Sequence, residues 1–322
     1  MAILPIFVPQ AACPHQCIFC NQRTISGEQR TGLADVLRQI HTWLPRLHRS
    51  VANEAAFYGG SFTGLPLEQQ AQYLAPVEAL LKTQVVGKIR LSTRPDYIDE
   101  TRLLFLQRHR VTLVELGAQS LDDRVLQLAG RGHTAAQVAQ AVRLLRQYHF
   151  QVGLQFMVGL PGQDWESLRA TAAQAVRLKP DLARIYPLLV IKDTPLAGMY
   201  ARGQYQPLSL ETAVAQAAFL YEQLTRAGIK VIRVGLQPDA ELCQPGNILA
   251  GPFHPSMGAL VQSYLRQQQV AALLRRQKYA PADQVLLRFP KRLESQMRGQ
   301  HNHNVELWRE LVAPATLLLE HF

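Results

Sequence analysis

The chain has 322 residues, 48% of them hydrophobic and only 18% charged, against about 25% charged in ordinary globular proteins, which excludes a disordered polyelectrolyte and allows a full core. Its formal net charge of +10 suits a polyanionic partner such as RNA, DNA or an anionic small molecule, and suits equally a basic surface with no specific partner. Pro5 and Pro9 interrupt the only early apolar run, and no stretch of about 18 apolar residues follows, so neither a signal peptide nor a membrane-spanning helix is expected.

Taken in order, residues 4–9 form a short apolar run that predicts a strand. Apolar positions at Leu33, Val36, Leu37, Ile40, Trp43, Leu44 and Leu47 recur at helical spacing. Strands are predicted over 54–58, 88–92, 112–116, 151–158 and 182–190. Helices are predicted over 67–81, 100–108, 122–128, 134–148, 164–178 and 210–227. Six strand–helix units in succession predict a parallel sheet with helices outside it. The unusual residues sit where strands end: the cysteines after the first, Gly59-Gly60 after the second, Arg94-Pro95-Asp96, Gly117-Ala118-Gln119-Ser120, and Gly159-Leu160-Pro161-Gly162. A parallel barrel places its reactive loops on that rim. Six units are too few to close an eightfold barrel, so the expectation is a partial (β/α)6 TIM-like barrel, with a doubly wound open sheet as the competitor. Beyond it lie a further strand at 229–235, an irregular Pro/Gly segment at 236–255, a helix at 255–274, a strand at 284–289 and a helix at 305–311. The division expected is a core of residues 1–235 and a small α/β C-terminal extension of residues 236–322.

Cys13, Cys17 and Cys20 hold three of the four cysteines in a C-x3-C-x2-C spacing. This usage points to a reducing cytoplasm, and thiolates so close together are placed to share a metal centre rather than to pair as disulfides. Three thiolates leave one position of a tetrahedral iron open. With His15 the same stretch also offers a Cys3His zinc set.

The cysteine loop following a first strand, with Phe19 just before the last cysteine, resembles the signature of radical S-adenosylmethionine (SAM) enzymes. The resemblance implies that Cys13, Cys17 and Cys20 bind a [4Fe-4S] cluster whose fourth iron is chelated by SAM. It implies reductive cleavage of SAM to a 5′-deoxyadenosyl radical, and an electron donor of flavodoxin or ferredoxin type. Tyr58-Gly59-Gly60-Ser61 looks like the family's glycine-rich motif for the methionyl amino group, with Ser61 at a usually acidic position; a tight turn would explain Gly-Gly alone. The stretch from Val114 to Asp123, continued by Gly130-Arg131-Gly132-His133-Thr134, resembles both the Elongator catalytic subunit and oxygen-independent coproporphyrinogen oxidases. By that resemblance Gln119 lies near the ribose and Arg131 binds the methionyl carboxylate, a match for the guanidinium fork. Gln155 would meet a ribose hydroxyl, and the backbone from Gly159 would approach the adenine.

Leu91-Ser92-Thr93-Arg94-Pro95-Asp96-Tyr97 looks like the E-T-R-P-D-Y of Elongator-type enzymes, with Ser92 in place of the glutamate. Residues 184–191, R-I-Y-P-L-L-V-I, resemble their K-I-Y-P-T-L-V-I. These favour the Elongator-like branch and hence RNA or tRNA as the substrate. The porphyrin branch carries an extra cysteine where this chain has Gln22. The chain is too short for the acetyltransferase domain of the Elongator subunit, so that subunit's complete reaction is not expected of it alone. A coproporphyrinogen oxidase-like oxidoreductase and a non-catalytic zinc or iron–sulfur RNA-binding protein stand as alternatives. Residues 275–309 carry eight Lys/Arg against three acids, half the chain's excess positive charge. With the 298–304 loop they suggest an RNA- or phosphate-contacting tail, or simply a solvated surface. Cys243 has no assigned role.

Overall fold

A computed structural model describes residues 2–9, 13, 17–28, 32–48, 50–238 and 240–322. The elements in order are β1 (Ile3–Val8), α1 (Gln22–Ser26), α2 (Leu33–Trp43), β2 (Glu54–Gly59), α3 (Leu67–Lys82), β3 (Lys88–Thr93), α4 (Glu100–Arg108), β4 (Val111–Gln119), α5 (Asp123–Leu128), α6 (Ala135–Gln147), β5 (Gln151–Val158), α7 (Trp165–Leu178), β6 (Leu182–Pro187) and β7 (Val190–Ile191). There follow α8 (Pro195–Ala201), α9 (Leu210–Arg226), β8 (Lys230–Val234), β9 (Ile248–Ala250), α10 (Met257–Leu274), β10 (Gln284–Phe289), α11 (Glu294–Arg298), α12 (His303–Val312) and β11 (Thr316–His321).

The main sheet has seven strands in the order β1-β2-β3-β4-β5-β6-β8, every neighbouring pair parallel. The strand expected at 229–235 is therefore a seventh member of the barrel sheet. Outward-facing Leu4, Ile6 and Val8 of β1, with Ile89, Leu91, Val114 and Leu116, are almost fully buried beneath the helices. This explains the nearly continuous apolar character of the strands.

The sheet is curled. Strands β2 and β6 lie four places apart, which in a flat sheet is about 19 Å. Yet Arg184 Nη2 on β6 donates to Tyr58 Oη on β2 at 3.1 Å. The lumen is bridged by a polar layer: Arg184 Nε reaches Glu115 Oε2 at 2.5 Å, and Arg90 reaches Glu54 at 3.1 Å and Glu115 at 3.5 Å. Glu115 is fully buried, so this charge depends on its guanidinium partners. Gly153 makes room for it, since a Cβ there would lie 2.8 Å from Glu115 Cγ. The doubly wound alternative fails on this closure; the fold is the partial barrel, one strand larger than expected.

The helices begin where short polar side chains cap them. Asp122, Thr134, Asp164, Thr194 and Ser209 each accept a hydrogen bond from an amide of the first turn. The strand expected over 182–190 is interrupted after Pro187; its last residues form β7, which pairs antiparallel with β9 from the segment expected to be irregular. α10 joins two cores. Met257 and Val261 pack into the barrel, whereas Val270, Ala271 and Leu274 pack with Phe289, Val305, Trp308 and Leu317 of the C-terminal unit. There β10 and β11 pair in parallel, and β11 was not expected from the sequence.

Candidate active site

Residues 17–21, which carry Cys17 and Cys20, are held at the barrel rim by backbone contacts. Ile18 N donates to Ala129 O at the end of α5, and Ile18 O accepts from Leu196 N at the start of α8. Asn21 caps α1 through Thr24 N and donates to Lys192 O, fixing the chain just beyond Cys20. Gly59 turns at a φ of +105°, and a Cβ there would come within 3.0 Å of Val8 O. Only glycine lets β2 leave the sheet so close to the end of β1.

These loops enclose a cavity of about 340 Å³ at the C-terminal ends of β1–β5. Cys13, Cys17, Phe19 and Cys20 line one side. Gly59, Gly60, Ser61 and Ser92 line a second, and Gln119, Arg131 and Gln155 a third. Gly159 is not part of the lining. Its φ is +86°, its carbonyl accepts a hydrogen bond from Tyr205 Oη at 2.8 Å, and Leu208 packs where its Cβ would be. The cavity also takes in Gln22, Thr93, Arg94 and Gly117, which carried no assigned role. Arg94 had a signal: an arginine two residues before an aspartate at a strand end, able to form its own ion pair.

Cys17 is buried, Cys20 half-buried and Cys13 exposed. Cys13 Sγ lies 3.6 Å from Ser61 Oγ. Arg131 Nη1 donates to Cys17 Sγ at 2.9 Å, and its Nη2 donates to Gly117 O at 2.5 Å. Burial pushes the Cys20 thiol up to about 12, with repulsion from Cys17 and Cys13 adding to it. Its deprotonation would be coupled to metal binding. His133, behind this wall, is driven down to about 3 by burial and then by the nearby Arg131 and Arg94 guanidiniums, so it is neutral.

Several buried polar atoms around the cavity have no partner: Ser92 Oγ, Gln119 Oε1, Arg131 Nε and Arg94 Nη1. Buried groups of this kind are ordinarily satisfied, and all four belong to residues that line the cavity. Gln119 is held there at a φ of +66°, a strained backbone for a residue with a side chain. Among the described residues no three Cys, His, Asp or Glu side chains converge on a single metal-ion position. One tetrahedral zinc would require its thiolates about 3.8 Å apart. His15, the fourth member of the zinc alternative, lies outside the described residues.

The chain was compared with known proteins. The model of the radical SAM superfamily matches residues 7–175, and that of the radical SAM C-terminal domain matches residues 180–267. The tRNA uridine(34) acetyltransferase of Methanocaldococcus jannaschii is 23% identical over 311 residues, covering 84% of this chain and 56% of that protein. Elongator complex protein 3 of Saccharomyces cerevisiae is 27% identical over 209 residues, covering 58% of this chain and 36% of that protein. The solved structure of archaeal Methanocaldococcus infernus Elp3, lacking its N-terminal residues 1–46, superposes with a TM-score of 0.67 at 22% identity, covering 83% of this chain and 63% of that one. The chain spans about half the length, or less, of these curated relatives. With the first family model covering more than half of the sequence, and the curled parallel sheet bearing its cysteine loop on the rim, this protein belongs to the radical SAM superfamily of enzymes and resembles its Elp3-like members.

Proposed function

We propose that the chain is an Elongator-like radical SAM enzyme that modifies tRNA or another RNA. Cys13, Cys17 and Cys20 would hold a [4Fe-4S] cluster, and Gly59, Gly60, Ser61, Ser92, Gln119, Arg131 and Gln155 would surround SAM, with Phe19 packed beside the cluster loop. The observation that carries this reading is the cavity: three thiols and the polar residues Ser92, Gln119, Arg131 and Gln155 line one space, with a guanidinium on one of the sulfurs. Together the two groups would supply, by one-electron reduction of the sulfonium, a 5′-deoxyadenosyl radical able to abstract hydrogen. The chain's own residues bind and orient. Arg131 would hold the Cys17 side chain in place through its hydrogen bond to Sγ, Gly59 and Gly60 bring backbone to the cavity wall, and Gln119 and Gln155 supply amide groups to it.

The three thiols line an open cavity with room beside them, which favours a cluster with an open position over a closed zinc site. The sequence resemblance to tRNA uridine(34) acetyltransferases favours RNA over a porphyrin. The same reading divides the chain into a reaction core, residues 1–235, and an extension, residues 236–322, whose exposed Arg275, Arg276, Lys278, Lys291 and Arg292 offer a surface to RNA. A flavodoxin- or ferredoxin-type donor would provide the electron, in the cytoplasm. Among the described residues no helix is long and apolar enough to cross a membrane.

The test is anaerobic reconstitution with iron and sulfide. A brown protein that converts SAM to 5′-deoxyadenosine under dithionite is expected, and a colourless protein holding one zinc would refute the reading. Modified nucleosides in bulk RNA from cells with and without the gene would then identify the substrate.

A further inference from the structure

The two-stranded sheet of the C-terminal unit is covered on one side only. Helices α10 and α12 pack on its inner face, where Phe289 and Leu317 are buried with Trp308. The outer face is formed by Gln284, Leu286 and Arg288 of β10 and by Thr316, Leu318 and Glu320 of β11, all exposed. Leu286 and Leu318 are cross-strand neighbours there, 49% and 41% exposed. The edge of β11 is open as well. Thr316 N donates to Asp283 O at 3.1 Å and Phe322 N to Phe289 O at 3.2 Å, so the even-numbered residues turn their backbone groups toward β10. Alternation turns the amides and carbonyls of Leu317 and Leu319 outward, where no third strand meets them among the described residues. β11 reads T-L-L-L-E-H and has none of the usual protections of an exposed edge: no lysine, no proline and no bulge.

Such an edge accepts another strand, and its own sequence fits a second copy of itself. In an antiparallel pair, opposed residues share a face, so a strand that pairs with its copy must be centred on a residue. Centred on Leu318, the pairing sets Leu318 against Leu318 on the outer face and Leu317 against Leu319 on the inner face. Leu317 and Leu319 are the residues whose backbone groups point outward, so each of these pairs closes both of its hydrogen bonds. With Leu286 on either flank, the leucines form one row across a four-stranded sheet. Centred on Leu317 or Leu319 instead, Leu318 would face Thr316 or Glu320. The edge of β10 is the poorer match. It is entered from Arg275, Arg276 and Lys278 and left through Lys291 and Arg292, so two copies meeting there would bring like charges together. β11 is entered through Ala313-Pro314-Ala315, and its one acid, Glu320, is paired with Arg288 at 2.9 Å. We infer that the chain associates with a second copy of itself as a two-fold dimer through the edge of β11, with Leu318 on the axis. This goes beyond the enzymatic reading and does not depend on it.

Sedimentation equilibrium of the full chain tests this. One short edge is small beside a standard interface, so a reversible dimer with a micromolar dissociation constant is expected. Leu318→Lys places two ammonium groups together on the axis and should weaken the dimer at least tenfold. Opposed residues at a non-hydrogen-bonded position have Cα atoms about 4.5 Å apart, within disulfide range. Leu318→Cys should therefore give a disulfide-linked dimer on mild oxidation, well above the background from the native cysteines in the wild type. Leu286→Cys would lie about 14 Å from its own copy, three strand spacings away, and should stay at that background. The cross-linking pair decides the matter if Leu318→Lys does not fold. A wild-type chain still monomeric at several hundred micromolar overturns the proposal. So does a dimer that a folded Leu318→Lys leaves intact, or cross-linking that is equal at positions 286 and 318. A monomer whose RNA binding is lost in Leu318→Lys also overturns it, and gives the face to nucleic acid.

Discussion

At the scale of the residue, the site is set by which buried groups are paired. Arg131 is paired with Cys17, and Arg94 with Asp96, whereas Ser92 Oγ and Gln119 Oε1 have no partner within the protein. Cys17→Ala should abolish cluster binding, read as loss of the brown chromophore and of its iron on reconstitution. Cys243→Ala, changing an exposed thiol, should leave both intact. Equal loss in the two variants would mean that the cluster site has been misplaced. His133 gives a pH signature. Its folded pKa of about 3 lies below the unfolded value of about 6.5, so the unfolded chain binds its proton first. Its contribution to stability is complete above about pH 6.5 and is lost progressively as the pH falls toward 3. Between pH 6.5 and 5.5 the wild type should lose about 1 kcal/mol more than His133→Gln, measured by urea unfolding at the two pH values; identical losses would show that His133 is not held neutral.

At the scale of the element, the informative helix is α10, which serves two cores. Its C-terminal half is tied to α12 by Trp308, fully buried, whose Nε1 donates to Gln267 O at 3.3 Å. Trp308→Ala should cost about 3–5 kcal/mol, the usual range for removing a buried aromatic. Because the apolar cluster around Trp308 is separate from the barrel's own, the loss should be local. Hydrogen exchange should accelerate across 284–321 and remain slow in β4 and β5; uniform acceleration would show one cooperative unit. The sequence pattern revealed α10 as a single helix but not its double attachment, because helical periodicity marks an apolar face and not what covers it. β7 and β9 were hidden for a related reason. A pair of two- and three-residue strands carries too few positions to show alternation, and only their meeting across the 236–250 segment makes them strands.

At the scale of the whole molecule, the basic charge and the curled sheet decide what can approach. Two C-terminal cations sit in ion pairs, Arg298 with Glu294, which is already among the three acids of residues 275–309, and Arg288 with Glu320 beyond them, so the +5 excess overstates what is free by one. The exposed Arg275, Arg276 and Lys278 fall in one short segment after α10. If they bind RNA, replacing all three by glutamate should weaken binding roughly tenfold or more. It should also flatten the dependence of log K on log salt by nearly one unit for each phosphate that the protein no longer neutralises. Filter binding over a salt series measures both, and an unchanged slope would place the RNA elsewhere.

How much was legible follows from the range of the interactions. The strand–helix rhythm, the cysteine spacing and the glycines at strand ends are local. Periodicity, turn chemistry and ligand density act within a few residues, so they could be read directly as a parallel barrel with a thiol cluster on its rim. The number of strands in the sheet was less secure, because β8 reads alike as a barrel strand or as the start of an extension until its pairing with β6 is seen. How the two arginines are paired could not be read from the chain order. Arg94 and Arg131 are 37 positions apart, and their pairing depends on a hydrogen bond between them and on the proximity of Cys17, which lies 114 positions from Arg131. Sequence by itself determined that thiols, glycines and guanidiniums would gather at one end of a barrel. Only the tertiary structure decided which donors are used up within the protein and which are left for something else to bind, because hydrogen-bond satisfaction is settled among groups that the fold, not the chain order, makes neighbours.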